Sequence, residues 1–256
     1  MPDPSYETLL AVAVEAATQA GQHTLKYFNQ GVAVELKSDQ SPVTRADREA
    51  ELIVRDYILK QFPTHSILGE EHGTVEGDPD YQWVIDPIDG TKSFIHGVPL
   101  FTTLVGLQIK NEPAIGVIYA PALGEIVAAA RGHGCTWNGK PCRVSDVSDL
   151  SRSLVCTSDA FMAIDRSDAF PDLVKRCKYA RTWGDAYGYL LVATGRAEIM
   201  IDAKMSPWDV CALIPVIEEA GGVCTSWKGA RTIHGGDLFA CNAKLAGEVG
   251  AALRNG

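Results

Sequence analysis

The sequence predicts a mixed α/β (α+β) fold in which helices and sheets form layers. Three regions with different patterns lead to this prediction. Apolar residues have helical spacing in the N-terminal region, short apolar strands crowd the stretch 66–130, and the two patterns alternate after about residue 150. A chain of 256 residues is long enough to bury a large core between such layers.

The N-terminal region predicts two helices separated by a short strand. Residues 5–28 are rich in Ala, Leu, Val, Glu and Gln with helical spacing, and the segment Ala33–Leu36 is typical of a strand. The second helix is expected to begin near Thr44, a good N-cap, because Asp47 three residues later supports its first turn. It should end before Pro63.

The middle of the chain predicts a series of strands. They are Ser66–Leu68, Trp83–Ile85, Phe101–Leu107, Ile115–Tyr119 and Glu125–Ala130. Turn signals at 111–113 and 121–124 separate the last three strands, which favours an antiparallel meander.

The remainder of the chain predicts alternating strands and helices. The strands are Ser153–Thr157, Ala197–Ile201, Gly222–Thr225 and Leu238–Ala240, and the helices are Phe170–Cys177, Ala186–Thr194, Trp208–Ala220 and Lys244–Leu253. We expect one compact unit with an N-terminal α+β half, 1–147, and a C-terminal α/β half, 148–256.

The composition is that of an ordinary globular protein and disfavours several functions. Hydrophobic residues make up 46% and charged residues 21%, and no apolar run approaches the roughly 18 residues that a membrane span needs. The net charge of −9 argues against nucleic acid or an anionic membrane as a partner. The stretch Met1–Glu15 has no signal-peptide pattern, so we expect a cytoplasmic protein.

The cysteines argue against a disulfide framework and against a zinc site. There are seven, an odd number, with irregular spacing and no C-x-x-C pair. Several lie in apolar runs, such as Cys211 within Val210–Ile214, so we expect buried, reduced thiols.

The strongest functional pattern is Trp83-Val-Ile-Asp-Pro-Ile-Asp-Gly-Thr-Lys92. An apolar strand ends there in two carboxylates, Asp86 and Asp89, and the intervening proline fixes the turn. Gly90 lets the backbone approach a ligand, and Thr91 adds a hydroxyl. Two hard oxygen ligands on one tight loop suit magnesium, although an Asx turn would use the same residues.

Three more acidic positions follow the same logic but are weak when taken singly. Gly69-Glu70-Glu71 comes directly after an apolar strand and could be a solvated turn. Ser206-Pro-Trp-Asp209 opens an apolar helix, and Asp47 lies in the first turn of the second helix. Both of these acids could simply complement a helix dipole.

Four of these carboxylates would repel one another strongly if the fold brought them together. They are Glu70, Asp86, Asp89 and Asp209. At an effective dielectric of about 20, their mutual repulsion sums to the order of 20 kcal/mol, which exceeds the stability of a typical domain. Bound cations or proton uptake must therefore relieve it.

Together, the motifs resemble those of inositol monophosphatases. That family is marked by Gly-Glu-Glu, then Asp-Pro-x-Asp-Gly-Thr, then Trp-Asp, with Val-Thr-x-x-Asp upstream. The matching segments, in chain order, are Val43–Asp47, Gly69–Glu71, Asp86–Thr91 and Trp208–Asp209. The resemblance spans essentially the whole chain and implies the layered α-β-α-β-α sandwich of the inositol monophosphatase/fructose-1,6-bisphosphatase type. It also implies a magnesium-dependent phosphate monoester hydrolase with two or three Mg²⁺ per subunit.

The resemblance assigns metal ligands to both halves of the chain. The first ion would be held by Glu70, Asp86, Asp89 and the carbonyl of Ile88. The second would be held by Asp86, Asp89 and Asp209. Most ligands would thus lie in the N-terminal half, and Asp209 would lie in the C-terminal half beside the segment that contacts the substrate alcohol.

The resemblance also implies catalytic and phosphate-binding roles. Glu70 and Thr91 would position the attacking water, and Asp47 would assist through a weaker third ion. The amides of Gly90 and Thr91 would bind phosphate oxygens.

Two stretches, 93–107 and 181–188, resemble the histidinol-phosphatase branch more than the inositol branch. Histidinol phosphate carries an ammonium and an imidazole, so its pocket should contain acids, whereas inositol is a neutral polyol. Asp185, Glu198 and Asp202 lie in the segment that contacts the alcohol in this family, and we expect them to bind substrate. The expected protein is a homodimeric histidinol-phosphate phosphatase of histidine biosynthesis.

Other interpretations stay open at this point. Inositol-1-phosphate, fructose bisphosphate or a nucleotide phosphate could be the substrate of the same chemistry. An enzyme with an aspartyl-phosphate intermediate would place one residue, not two, between its aspartates. A metal-binding regulatory protein could keep all the ligands without catalysis.

Overall fold

Most of the predicted helices are present near their predicted positions. A computed structural model describes residues 3–254. The helices are α1 (Tyr6–Thr24), α2 (Arg45–Gln61), α3 (Thr91–Ile95), α4 (Ala160–Arg166), α5 (Ala169–Arg176), α6 (Ala186–Ala193), α7 (Pro207–Val210), α8 (Leu213–Glu219) and α9 (Ala246–Arg254), with a 3₁₀ turn at Leu150–Arg152. No helix within residues 3–254 is long and apolar enough to cross a membrane.

The strands form three sheets. They are β1 (Val34–Leu36), β2 (Pro42–Thr44), β3 (His65–Gly69), β4 (Gly73–Val75), β5 (Asp78–Asp89), β6 (Thr102–Ile109), β7 (Glu112–Ala120), β8 (Glu125–Ala130), β9 (Cys135–Trp137), β10 (Lys140–Pro141), β11 (Leu154–Cys156), β12 (Tyr179–Arg181), β13 (Ile199–Asp202), β14 (Gly222–Thr225) and β15 (Leu238–Asn242). The larger sheet has the order β10-β9-β8-β7-β6-β5-β3-β4, and the smaller has the order β12-β11-β13-β15-β14. Strands β1 and β2 pair separately. The predicted antiparallel meander is present as β6, β7 and β8.

The large sheet is covered by helices on both faces because its strands are apolar on both sides. Trp83 and Ile85 of β5 pack against α1 and α2, whereas Val84 between them packs against α6 and α8. All three side chains are fully buried. Each such burial contributes about 1.5–3 kcal/mol relative to exposure.

The small sheet forms the second half of the sandwich. Met200 of β13 faces the same middle helices, α6 and α8, while its neighbours Ile199 and Ile201 face α4, α5 and α9. The layers are therefore α1/α2, large sheet, α6/α8, small sheet and α4/α5/α9. This order confirms the predicted layered α-β-α-β-α fold. The division into halves at 147/148 stays a prediction.

Two elements differ from the sequence-based expectation. Strand β5 continues through the acidic motif to Asp89 instead of ending at Ile85, with a register shift between Asp86 and Asp89. The predicted helix 208–220 is split into α7 and α8. Pro215 has no amide to donate to the carbonyl of Cys211, which accounts for the interruption just before α8.

The described cysteines are all free thiols. Cys135, Cys156, Cys211, Cys224 and Cys241 are buried, and the other two are partly buried. Burial raises the pKa of most of these thiols, as it does for Cys156, whose pKa rises to about 12.

Candidate active site

Three carboxylates converge where neighbouring strands of the large sheet end. Glu70 follows directly after β3, and its amide donates to the carbonyl of Ile85 at 3.2 Å. Because β3 and β5 are parallel with Gly69 opposite Ile85, the next residues, Glu70 and Asp86, are neighbours. The parallel pairing of β3 and β5 therefore builds one edge of the site.

The register shift in β5 sets the direction of the second aspartate. Asp86 lies opposite Leu104 of β6 and Asp89 lies opposite Thr102, so three steps on β5 match two steps on β6. In a regular strand, residues three apart point to opposite faces. The extra residue of the bulge returns Asp89 to the side of Asp86.

Asp209 reaches the same place from α7. Its Oδ2 accepts a 2.6 Å hydrogen bond from the amide of Ser206 at the helix start, so it is a capping residue as well. One oxygen each from Asp86, Asp89 and Asp209 lies within 4.8 Å of the others. The structure thus brings together candidate metal ligands that are distant in the sequence.

The cluster resists ionisation. Burial, followed by the charges of Glu70, Asp89 and Asp209, raises the pKa of Asp86 well above its usual range. Burial and the charges of Asp185 and Asp209 do the same to the pKa of Asp89. Burial raises the pKa of Asp209 to about 7 against the opposing effect of the Ser206 amide.

These carboxylates fit a divalent cation. Asp86, Asp89 and Asp209 form an acidic triad. When two of its carboxylates are ionised, they repel each other by about 3–4 kcal/mol at an effective dielectric of about 20. Oxygen Oδ1 of Asp86 is buried and has no hydrogen-bond partner within residues 3–254. A buried acceptor without a donor loses free energy that a cation would restore. Oxygen-only donors match the preference of Mg²⁺ and Ca²⁺.

Asp89 accepts hydrogen bonds from a strand of the large sheet and from helix α6. Its Oδ2 accepts from the hydroxyl of Thr102 at 3.2 Å and from the amide of Ala186, the first residue of α6, at 2.5 Å. The second bond ties the motif on the large sheet to the first turn of the middle helix layer.

The remaining motif residues surround the triad. Asp47 is buried, and its Oδ2 accepts from the amide and hydroxyl of Thr44, which forms the predicted capping box. The Thr91 hydroxyl lies 3.1 Å from the carbonyl oxygen of Ile88 and 3.4 Å from Oδ1 of Asp47. Burial raises the pKa of Asp47. Thr91 therefore links the two acidic motifs.

Gly90 is required by both conformation and space. It has φ +85° at the start of α3, a left-handed conformation that favours glycine. A Cβ at this position would lie 2.8 Å from Oδ2 of Asp185. The backbone of Gly90 therefore packs closely against the carboxylate of Asp185.

Glu70 and Asp209 line a cleft of about 760 Å³. Asp185 and Asp202 line it, together with Ser158 and Lys204. Burial raises the pKa of Asp202 to about 7, although the amide of Ser158 donates to its Oδ1 at 2.8 Å. Its other oxygen, Oδ2, is buried and lacks a hydrogen-bond partner in the described part of the chain. Burial also raises the pKa of Asp185.

Glu198 is not brought into the cleft. Its carboxylate accepts a 2.7 Å hydrogen bond from the amide of Leu154 and supports the start of β11. It does not line the cleft that holds Asp185 and Asp202. Glu198 precedes β13 and Asp202 is its last residue, so the extended strand separates the two carboxylates along its length although they are close in sequence.

Lys37 is a site residue that the sequence reasoning missed. Its Nζ lies 2.8 Å from Oε1 of Glu70 and 2.5 Å from Oε1 of Glu71. Burial lowers the pKa of Lys37, but the bonds to the two carboxylates raise it more. Burial raises the pKa of Glu71 to about 6, partly offset by Lys37. The only sequence signal was its position at the start of the Asp47 segment.

The comparisons with known proteins agree with this geometry. The model of the family described as "Inositol monophosphatase family" matches residues 5–255. The chain belongs to the inositol monophosphatase family. This membership and the names of its relatives make it a phosphatase of a metal-dependent family.

Three relatives illustrate the range of this family. A histidinol-phosphatase from Chlorobaculum parvum is 42% identical over 251 residues, covering 96% of this chain and 97% of that protein. The Nus factor SuhB of Escherichia coli is 33% identical over 256 residues, covering 96% of each. The solved structure of an inositol monophosphatase from Anabaena superposes with a TM-score of 0.85 at 34% identity, covering 97% of this chain and 96% of that one.

Proposed function

We propose that this phosphatase hydrolyses histidinol phosphate by direct attack of water, with two or three Mg²⁺ per subunit. The observation that carries the choice of substrate is the acidic lining of the cleft, which includes Asp185 and Asp202. The relative from Chlorobaculum parvum, named histidinol-phosphatase, supports the same choice.

The metal ligands are proposed from the converging acids. Glu70, Asp86, Asp89 and the Ile88 carbonyl would hold one Mg²⁺, and Asp86, Asp89 and Asp209 would hold another. Asp47 would contribute to a weaker third site. When bound, the cations supply Lewis acidity that activates water and neutralises charge on the phosphate.

The chain's own groups would orient the reactants. Glu70 and Thr91 would accept hydrogen bonds from the attacking water, and the Thr91 hydroxyl is already fixed between Ile88 and Asp47. The amides of Gly90 and Thr91 would donate to phosphate oxygens. Fixed donors of this kind cost no reorganisation during the reaction.

The alcohol part of the substrate would be recognised by charge. Histidinol carries an ammonium, and a charge-assisted hydrogen bond to Asp202 or Asp185 would offset the desolvation of both groups. Glu198 is left out of this proposal because its carboxylate is occupied by the amide of Leu154.

Inositol-1-phosphate is the second candidate. Hydroxyl side chains line the cleft and could bind a polyol; they are Ser38, Ser41, Ser93, Ser158, Thr182 and Ser206. Lys92 and Lys204 also line it, which would suit a substrate with more negative charge than histidinol phosphate.

The assembly and location of the protein are further proposals. A homodimer is supported by apolar side chains exposed near the cleft, among them Phe161, Tyr179 and Trp183 at 81%, 51% and 42% exposure. A cytoplasmic location is supported by the free thiols, which are typical of a reducing compartment.

The test is phosphate release from histidinol phosphate and inositol-1-phosphate, side by side, with and without Mg²⁺. We expect Mg²⁺-dependent release with a higher kcat/KM for histidinol phosphate. Better turnover of inositol-1-phosphate would make the second candidate the function. Metal binding by calorimetry without turnover of either ester would instead indicate a regulatory protein.

A further inference from the structure

A buried ion pair lies beneath the loop that carries Glu70. Glu51 and Arg55 are one turn apart on α2, and their side chains are 0% and 6% exposed. The guanidinium Nε of Arg55 donates to Oε1 of Glu51 at 2.7 Å. Neither residue lines the cleft. The local sequence does not single them out, because an acid four residues before an arginine is usual on a solvated helix face.

The carboxylate of Glu51 is bonded to the backbone that follows Glu70. Its Oε2 accepts from the amide of Glu71 at 2.6 Å, and its Oε1 accepts from the amide of His72 at 3.1 Å. Arg55 also donates through Nη2 to the carbonyl of Gly73. The ion pair therefore binds the loop between β3 and β4 at three successive residues.

The packing leaves this loop no alternative position on that side. A Cβ at Gly69 would lie 2.1 Å from Oε1 of Glu51 and 2.6 Å from Nη2 of Arg55. The backbone just before Glu70 thus packs directly on the ion pair, and the backbone just after it is hydrogen-bonded to the same carboxylate.

Stability alone does not account for a charged pair in this place. A buried ion pair often stabilises a fold no better than apolar residues of the same volume. Its distinctive property here is geometric, because helix α2 carries Asp47 in its first turn and holds the Glu70 loop through Glu51. The two acidic motifs are fixed to one rigid element.

We propose that Glu51, supported by Arg55, is a positioning residue that sets the place of the Glu70 carboxylate and thereby the affinity of the site for a divalent cation. This inference rests on the proposed metal-dependent function. Groups that orient a metal ligand without touching the metal typically change metal affinity about 10–100-fold when removed.

The test compares Glu51→Gln with the wild-type protein. A glutamine keeps the size of the side chain. In either orientation, however, its amide nitrogen would face at least one N–H group from which the carboxylate now accepts a hydrogen bond. We expect the affinity for Mn²⁺, followed by the electron paramagnetic resonance signal of the free ion, to fall about 10–100-fold. The Mg²⁺ concentration for half-maximal phosphatase activity should rise by the same factor.

Arg55→Lys is the milder variant, which keeps a cation for Glu51 but cannot reach Gly73 at the same time. It should shift Mn²⁺ affinity in the same direction by a smaller factor, and it provides the measurement if Glu51→Gln does not fold. Asp237→Asn is the matched control. Asp237 is also buried and forms an ion pair with Arg166. It accepts a hydrogen bond from the backbone amide of Trp227, but it does not line the cleft.

The outcomes separate the two proposals. A lower Tm in all three variants, with Mn²⁺ affinity changed only in Glu51→Gln and Arg55→Lys, supports the positioning role. Mn²⁺ affinity within about twofold of wild type in both variants would overturn it and leave the proposed function standing. Wild-type protein that binds no Mn²⁺ and shows no Mg²⁺-dependent turnover would overturn the proposed function itself.

Discussion

The two walls of the cleft are built differently. The wall on the large-sheet side carries Glu70 and is backed by Asp86 and Asp89 on β5, a strand that is buried from Trp83 to Ile88. The opposite wall carries Met162 on α4 and Thr182 just after β12, an edge strand whose three residues are all exposed. The first wall is part of the core, and the second combines exposed residues with the buried Asp202 at the end of β13.

This difference separates chemistry from specificity. Groups that must hold a fixed distance lie where packing defines each position. The groups proposed to select the alcohol lie on the second wall, where Met162 and Thr182 are exposed and only Asp202 is buried. We therefore expect changes on the first wall to abolish turnover and changes on the second to alter the preference between substrates.

The largest expected effect is the loss of turnover in Asp89→Asn. Removing one charge from the proposed metal site should cost several kcal/mol of transition-state stabilisation, which corresponds to a factor of about a thousand in kcat. The loss should be the same for histidinol phosphate and inositol-1-phosphate. Asp165→Asn, on the exposed face of α4, is the control. Retention of most of the activity in Asp89→Asn would mean that the first wall does not hold the chemistry.

The next effect is a fall in the stability of the metal-free protein as pH rises. Burial raises the pKa values of Asp202 and Asp209 to about 7, whereas an aspartate in the unfolded chain titrates near 4. Between these values the folded state keeps protons that the unfolded state has released, so higher pH favours unfolding. Denaturant titrations in EDTA should show a decreasing free energy of unfolding from about pH 5 to about pH 7.

Adding Mg²⁺ should reverse this trend at the upper end of the range. A ligand at 100 times its Kd stabilises the folded state by about 2.7 kcal/mol. Asp209→Asn should make the free energy of unfolding fall less steeply with pH, by the slope that about one proton contributes. A free energy of unfolding that rises between pH 5 and 7 without metal would contradict the view that the first wall is repulsive.

A smaller effect is expected from Asp202→Asn on the second wall. Loss of one hydrogen bond between charged groups costs about 1.5–3 kcal/mol, so kcat/KM for histidinol phosphate should fall about 10–100-fold. The value for inositol-1-phosphate should change little, since a polyol offers no ammonium. An equal fall for both substrates would place Asp202 with the chemistry rather than with specificity.

The smallest effect is expected from Glu198→Gln. Its carboxylate bonds the amide of Leu154 away from the cleft, so KM for either substrate should stay unchanged. The free energy of unfolding should fall by about 1 kcal/mol, the contribution of one hydrogen bond. A KM that rises for histidinol phosphate alone would show that the acidic wall extends to Glu198.

Much of the fold could be predicted because burial leaves a periodic trace. The meander β6–β8 and helix α2 were visible from apolar spacing and from the capping residues Thr44 and Asp47. Strand β12 was missed because its three exposed residues give no apolar pattern. Helix α4 was missed because its apolar residues form one short run without helical spacing, and Phe161, Met162 and Ile164 are exposed. The bulge in β5 was missed because the residues of a bulge and of a turn, such as Pro87, look alike in sequence.

The site was predictable where function concentrates acids within a few residues. Asp86, Asp89 and Glu70 follow apolar segments, and the motif resemblance grouped them, but the bulge that turns Asp89 to the side of Asp86 gives no sequence signal. Lys37 and Glu51 could not be found in this way. Their roles depend on contacts with the 69–73 loop that no local pattern records.

The hydrogen bond from Ala186 to Asp89 has a consequence for how such proteins diverge. The donor is a main-chain amide, a group that every residue except proline supplies. The residues on either side, including Asp185, can therefore be exchanged over generations while the link between the helix and the acidic motif is inherited unaltered. The proposed alcohol preference can therefore change through residues near position 186, while the hydrogen bond from its amide to Asp89 is kept.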